Sequence, residues 1–215
     1  MNRREFLTMT TKILAATATF GMFPDFAEAA RKDKKKKIIK APKFELPKLK
    51  ILKTLDELEI GKVNLEFTDD MDVREGTGAI VIHHAGLTKD VDIDVASIHD
   101  MHLGNGWAGI GYHFVIHKDG FIEYARPLQY VGAHAYQHNK FTVGICMTGN
   151  YSIGYPPPEQ ALAVEQLTAA LCQMYNIEPD EYTIFGHRDL NDTACPGENF
   201  YPYLPQLIQN VNEVL

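Results

Sequence analysis

The sequence predicts an α/β fold, a single domain with a central mixed β-sheet flanked by helices, and three observations carry that prediction. Residues 78–84 (GAIVIHH) and 142–150 (TVGICMTGN) are short, nearly unbroken apolar runs rich in β-branched residues, the pattern of strands buried on both faces. After the three prolines at 156–158, Leu162, Leu167, Leu171 and Met174 recur at helical spacing. The two kinds of segment interleave along the chain with no internal repeat, so one sheet must be shared by all of them.

The elements follow in order. "MNRREFL" sets Arg3 and Arg4 ahead of Phe6 and Leu7, and the apolar stretch "ILAATATFGMF" leads to "AEA" at 27–29. This is the pattern of a twin-arginine export signal over residues 1–29, with a cleavage site after Ala29 and retention as an anchor left open, and its apolar part falls short of the about 20 residues a membrane span needs. No stable span then remains in the exported chain, whose place is the periplasm or the cell exterior. Residues 30–50 form a basic linker, with ten Lys or Arg against Asp33 and Glu45, a balance of +8. Residues 51–215 hold 8 basic and 23 acidic residues, a balance of −15, which repels phosphate and excludes a nucleic-acid-binding role. Cys146, Cys172 and Cys195 are too few and too widely spaced for a disulfide scaffold. Cys146 and Cys172 read as small buried hydrophobes, with a bond between them left open.

Within the domain, the 78–84 strand delivers His83 and His84 to its C-terminal end, where sites in open α/β sheets lie. Val91, Val95, Ile98 and Met101 or His102 space a short helix closed by Gly104. The stretch 110–127 alternates and turns at Lys118-Asp119-Gly120, predicting a β-hairpin. Then come the 142–150 strand, the helix with Pro158 and Glu159 in its first turn, a short strand in "YTIFGH" and a C-terminal helix from "YPYLPQLIQNVNEVL". His102 reads as core, His99 and His138 as exposed, and His117 as part of a hairpin arm. Trp107 is expected to pack beneath Tyr112.

The chemistry centres on "FGHRDLNDTACPG", residues 185–197, a stretch too rich in Gly, Pro, Asp and Asn to be helical. It sets His187 eight residues before Cys195. With His83 these make a His, His, Cys donor set, and a catalytic zinc takes three such ligands while keeping one position open. Nine histidines allow many triplets, so the donor types alone do not select this one.

The surrounding motifs do. "AIVIHHA", "GWAGIGYHFVI", "VGAHA", "VGICMTGN" and "GHRDLNDTACPG" occur in an order and at spacings that resemble the zinc-dependent N-acetylmuramoyl-L-alanine amidases of type 2, the family shared with peptidoglycan recognition proteins and phage lysozyme amidases. The resemblance covers about residues 75–210. It implies that His83, His187 and Cys195 bind Zn2+, that Tyr112 and Thr193 assist catalysis, and that His113, His134 and, more weakly, Asn150 contact the substrate. Arg188 and Asp189 would orient the ligand loop. The implied reaction is hydrolysis of the amide joining N-acetylmuramic acid to L-alanine in peptidoglycan, by a monomer. One branch of the family uses a glutamate in the strand matching "GICMTGN"; Cys146, Met147 and Thr148 stand there instead, leaving the base role to Tyr112 or to zinc hydroxide. Two other readings accompany this one: a peptidoglycan-binding module without catalysis, whose family examples lack at least the cysteine, and a zinc peptidase of the stem peptide.

Overall fold

The computed structural model describes residues 51–68 and 71–215. The twin-arginine motif and the basic segment read from the sequence lie outside the described residues. Six strands form one mixed sheet: β1 (Ile60–Lys62), β2 (Ala79–His84), β3 (Phe114–Ile116), β4 (Ile122–Tyr124), β5 (Thr142–Met147) and β6 (Ile184–Gly186). Their order is β1-β4-β3-β5-β2-β6. Among these six strands only the β3–β4 pair is antiparallel, and Gly120 supplies the positive φ of 86° that its turn requires. Among the described residues three α-helices accompany the sheet: α1 (Val95–Gly104), α2 (Pro158–Tyr175) and α3 (Leu204–Asn212). No helix among the described residues is long and apolar enough to cross a membrane.

Strand alternation divides the core between two layers. Ile80 and Ile82 of β2, Val143, Ile145 and Met147 of β5, and Phe114 and Ile116 of β3 face Leu167, Leu171 and Leu207 of α2 and α3. On the opposite face, Val115 and Cys146 pack with Val95 and Ile98 of α1, and Ala79 and Val81 pack with Phe185. Cys146 and Cys172 therefore belong to different faces of the sheet, and both are free thiols. The disulfide left open by the sequence does not form.

Three further details depart from the sequence reading. β1 carries too short an apolar pattern to be read, yet it extends the sheet parallel to β4. The first helix begins at Val95, not Val91, because Asp94 caps it: its two carboxylate oxygens accept from the Ser97 backbone N–H at 2.7 Å and the Ser97 hydroxyl at 2.8 Å. His99 is not exposed. It is 5% accessible, accepting from the Ile110 N–H through Nδ1 and donating to the Glu66 carbonyl through Nε2.

Candidate metal centre

The register of the parallel strands places the centre. His83 shares the α1 face with Val81 and pairs with Cys146 of β5. His84 turns to the other face, where its Nδ1 accepts the Tyr151 N–H at 2.9 Å. β6 runs beside β2, ends at Gly186 and hands the chain to a 3-10 turn at His187–Asp189. The carboxylate of Asp189 holds that turn, accepting from the Gly186 N–H at 2.9 Å and the Tyr201 hydroxyl at 2.6 Å. Arg188 closes the rest of the loop. Its backbone N–H donates to the Cys195 carbonyl at 2.9 Å, and its Nη2 donates to the Ala194 carbonyl at 2.6 Å and to Glu198 at 2.9 Å. The eight-residue interval thus folds back on itself, and Arg188 and Asp189 orient the loop as expected.

The result is a convergence of His83, His187 and Cys195, whose ligand atoms all lie within 4.8 Å of one another. The His83 and His187 ring centroids are 4.4 Å apart, and Cys195 Sγ lies 3.7 Å from His83 Nδ1. His83 is fully buried, and Cys195 is 8% accessible. Among the described residues this is the one such group of His, Cys, Asp or Glu side chains.

A chain of hydrogen bonds sets the His83 tautomer. The Thr142 hydroxyl donates to the His138 carbonyl at 2.8 Å, since a carbonyl only accepts, so its oxygen is left to accept from His134 Nε2 at 3.4 Å. His134 Nδ1 then accepts from His83 Nε2 at 3.0 Å, and the His83 lone pair remains on Nδ1, facing Cys195. His134, expected to contact substrate, has its ring hydrogen-bonded to His83, the place an outer partner takes beside a metal-binding histidine. Gly144 makes room for it, because a Cβ there would come 2.6 Å from the His134 ring. On the other histidine, Nε2 lies 3.0 Å from Asn191 Oδ1.

Electrostatics agree with a set of neutral imidazoles. Burial, joined by the neighbouring His134 and His187, pushes His83 well below its ordinary pKa, and burial lowers His187 as well. Burial takes His134 down to about 3 and pushes the Cys195 thiol up to about 12. A cation among these donors reverses the last shift, since metal binding displaces the thiol proton. Two imidazole lone pairs and one thiol with no carboxylate among them make a donor set suited to zinc.

Tyr112 stands beside the centre, its ring centroid 5.1 Å from that of His83. Burial raises the phenol well above its ordinary pKa. Trp107 does not pack beneath Tyr112. His102 intervenes, 4.6 Å from the Trp107 ring and 5.4 Å from the Tyr112 ring, while its Nδ1 accepts the Gly111 N–H. Thr193 Oγ1 accepts the Cys195 N–H at 3.2 Å, which leaves its own hydrogen to donate.

The other expected contacts go elsewhere. His113 is fully buried with Nδ1 accepting from Gly144 N–H at 3.0 Å and Nε2 donating to the Tyr130 carbonyl at 3.1 Å, so neither nitrogen is left for a ligand. Asn150 spends its amide on Leu87 and Ser152, bracing the turn after β5. Thr142, outside the quoted motifs, joins the site because the fold brings it there, and Asn191, inside the closing motif, was given no role by the sequence reading.

Residues 75–198, more than half of the chain, match the family model described as N-acetylmuramoyl-L-alanine amidase. The chain belongs to this amidase family. It is 30% identical over 124 residues to an endolysin of Klebsiella phage KP32, a match spanning 57% of this chain and 82% of the endolysin. Peptidoglycan-recognition protein LB of Drosophila melanogaster is 34% identical over 129 residues, spanning 57% of this chain and 55% of that protein. Among solved structures, the N-acetylmuramoyl-L-alanine amidase LysC from Clostridium intestinale superposes with a TM-score of 0.65 at 34% identity, covering 74% of this chain and 99% of that one. The expected amidase and peptidoglycan-recognition fold is the fold found.

Proposed function

We propose that this member of the amidase family is a zinc-dependent enzyme that hydrolyses the amide between the lactyl group of N-acetylmuramic acid and L-alanine in peptidoglycan. The convergence of His83, His187 and Cys195 carries the reading, because all three donors meet at the C-terminal end of β2 and β6 with one loop folded to bring them there. A zinc ion held by these residues supplies a Lewis acid for the carbonyl and a route to hydroxide at neutral pH.

The chain's own residues do the rest. His134 and the Thr142 hydroxyl keep the His83 lone pair on Nδ1, and the Asp189 and Arg188 contacts hold the ligand loop against reorganisation. As the carbonyl becomes tetrahedral, the Tyr112 phenol and the Thr193 hydroxyl donate to the growing negative charge, each a preorganised donor of the oxyanion-hole kind. Thr193 also bonds the Cys195 N–H, so donor and ligand move as one unit.

In this reading the enzyme acts outside the inner membrane, exported by the twin-arginine segment 1–29 that precedes the basic linker 30–50, and it works as a monomer because one chain supplies the whole site. The complete donor set argues against a purely binding module. Metal analysis of the purified protein tests the cofactor: the reading expects one zinc per chain in the wild type and none in Cys195→Ser, with amidase activity lost in the same variant. Full activity in a metal-free Cys195→Ser protein overturns it.

A further inference from the structure

The short loop at 134–139 touches both histidines of the centre, by two routes. One is direct, through the His134 ring on His83. The other runs through Asn191, four residues after His187 in the ligand loop. Its Oδ1 lies 3.0 Å from His187 Nε2, and its Nδ2 donates to the Tyr136 carbonyl at 3.2 Å.

The second contact fixes the first. A carbonyl oxygen accepts and never donates, so the Tyr136 carbonyl decides which end of the Asn191 amide is nitrogen. The amide oxygen therefore faces His187, Nε2 must carry the hydrogen, and the ring's lone pair is left on Nδ1. The same logic, run from the His138 carbonyl through Thr142 and His134, leaves the lone pair of His83 on Nδ1 too. Both chains end on backbone carbonyls of one loop. That loop is closed on itself by Asn139, whose Oδ1 accepts from the backbone N–H groups of His134 at 2.9 Å and Ala135 at 2.8 Å.

We propose that Asn191 is a positioning residue for His187, and that with the 134–139 loop it forms one brace that sets the ring orientation and tautomer of both histidines at once. The inference rests on the zinc reading for its consequence, though not for its geometry. Because the two rings share a brace, damage at Asn191 reaches the metal through His187 without touching the ion. A residue in this position typically changes metal affinity 10- to 100-fold when removed.

The full 215-residue chain supplies the test. Long-range proton–nitrogen NMR on the metal-free protein reads the histidine tautomers, and competition with a chromophoric chelator reads zinc affinity. The wild type should show His187 protonated on Nε2. Asn191→Ala should lose that single tautomer and bind zinc about 10- to 100-fold more weakly. Asn191→Asp keeps an acceptor toward Nε2 but loses the donor to the Tyr136 carbonyl, so it should keep His187 protonated on Nε2 while recovering only part of the affinity, a split that a merely structural role would not produce. His187 protonated on Nδ1 in the wild type overturns the brace. So does wild-type zinc affinity in Asn191→Ala, or an Asn191→Asp variant that loses the Nε2-protonated form of His187. A wild type that takes up no zinc overturns the metal reading, while the tautomer spectrum still reports on the brace separately.

Discussion

At the scale of single residues, the chemistry depends on where hydrogens sit. His83 and His187 are useful as donors only while neutral and only with the lone pair on the nitrogen that faces Cys195, and neither condition is visible from their spacing in the chain. The convergence of the three side chains was legible, because their motifs surround them closely. The roles of His134 and Asn191 were not: His134 lies 51 residues from His83 in the sequence and meets it only through the β2–β5 pairing. His113 misled for the same reason, since a histidine in a groove-lining motif and one spent on two backbone groups look alike in sequence. For Tyr112 the expectation is specific. Tyr112→Phe removes a donor to the oxyanion but no ligand, so it should retain zinc and lose about 100- to 1,000-fold in kcat. Zinc content and kcat measured on one preparation check it, and an unchanged kcat removes the phenol from the mechanism.

At the scale of elements, the strands and helices were legible wherever an apolar pattern ran long enough. β2, β5 and α2 all appear within the segments their patterns marked. β1 escaped notice because three residues cannot display a period, and it is recruited by pairing with β4. The sheet also has a close-packing requirement at β5. Gly144 leaves the space that the His134 ring fills, and a methyl group there must displace the ring. Gly144→Ala is therefore expected to cost about 1–3 kcal/mol in stability, as overpacking does, and to weaken zinc binding as well. Denaturant unfolding and chelator competition measure the two effects; loss of neither would mean that His134 is free to move. The hairpin carries a separate pH dependence. His117 Nδ1 lies 3.1 Å from Asp92 and Nε2 2.7 Å from Glu123, tying the end of β3 to β4 and to the segment before α1. Burial opposes the charge on His117, but these hydrogen bonds outweigh it and raise the pKa above 6.5. A raised folded pKa stabilises fully below the unfolded value and loses that contribution as pH rises through the folded one. Wild-type stability should thus fall relative to His117→Gln as pH climbs from about 6.5. Denaturation midpoints taken across that range test this, and parallel pH profiles for the two proteins would contradict it.

At the scale of the whole molecule, the fold, the sheet order and the loops serve one arrangement: parallel strands β2 and β6 end side by side, and the 187–195 loop folds its cysteine back onto them. Of the charge split along the chain, the acidic part lies in the described residues and the basic segment 30–50 lies outside them. On the proposed function, the centre cuts the bond between sugar and peptide. The most direct measurement is to incubate the purified protein with peptidoglycan, with and without a zinc chelator, and identify the released fragments by mass. Free stem peptides beginning at L-alanine, abolished by the chelator and restored by added zinc, are the predicted result. Peptidoglycan that is bound but left intact, or peptides cut internally while still attached to the glycan, would contradict it.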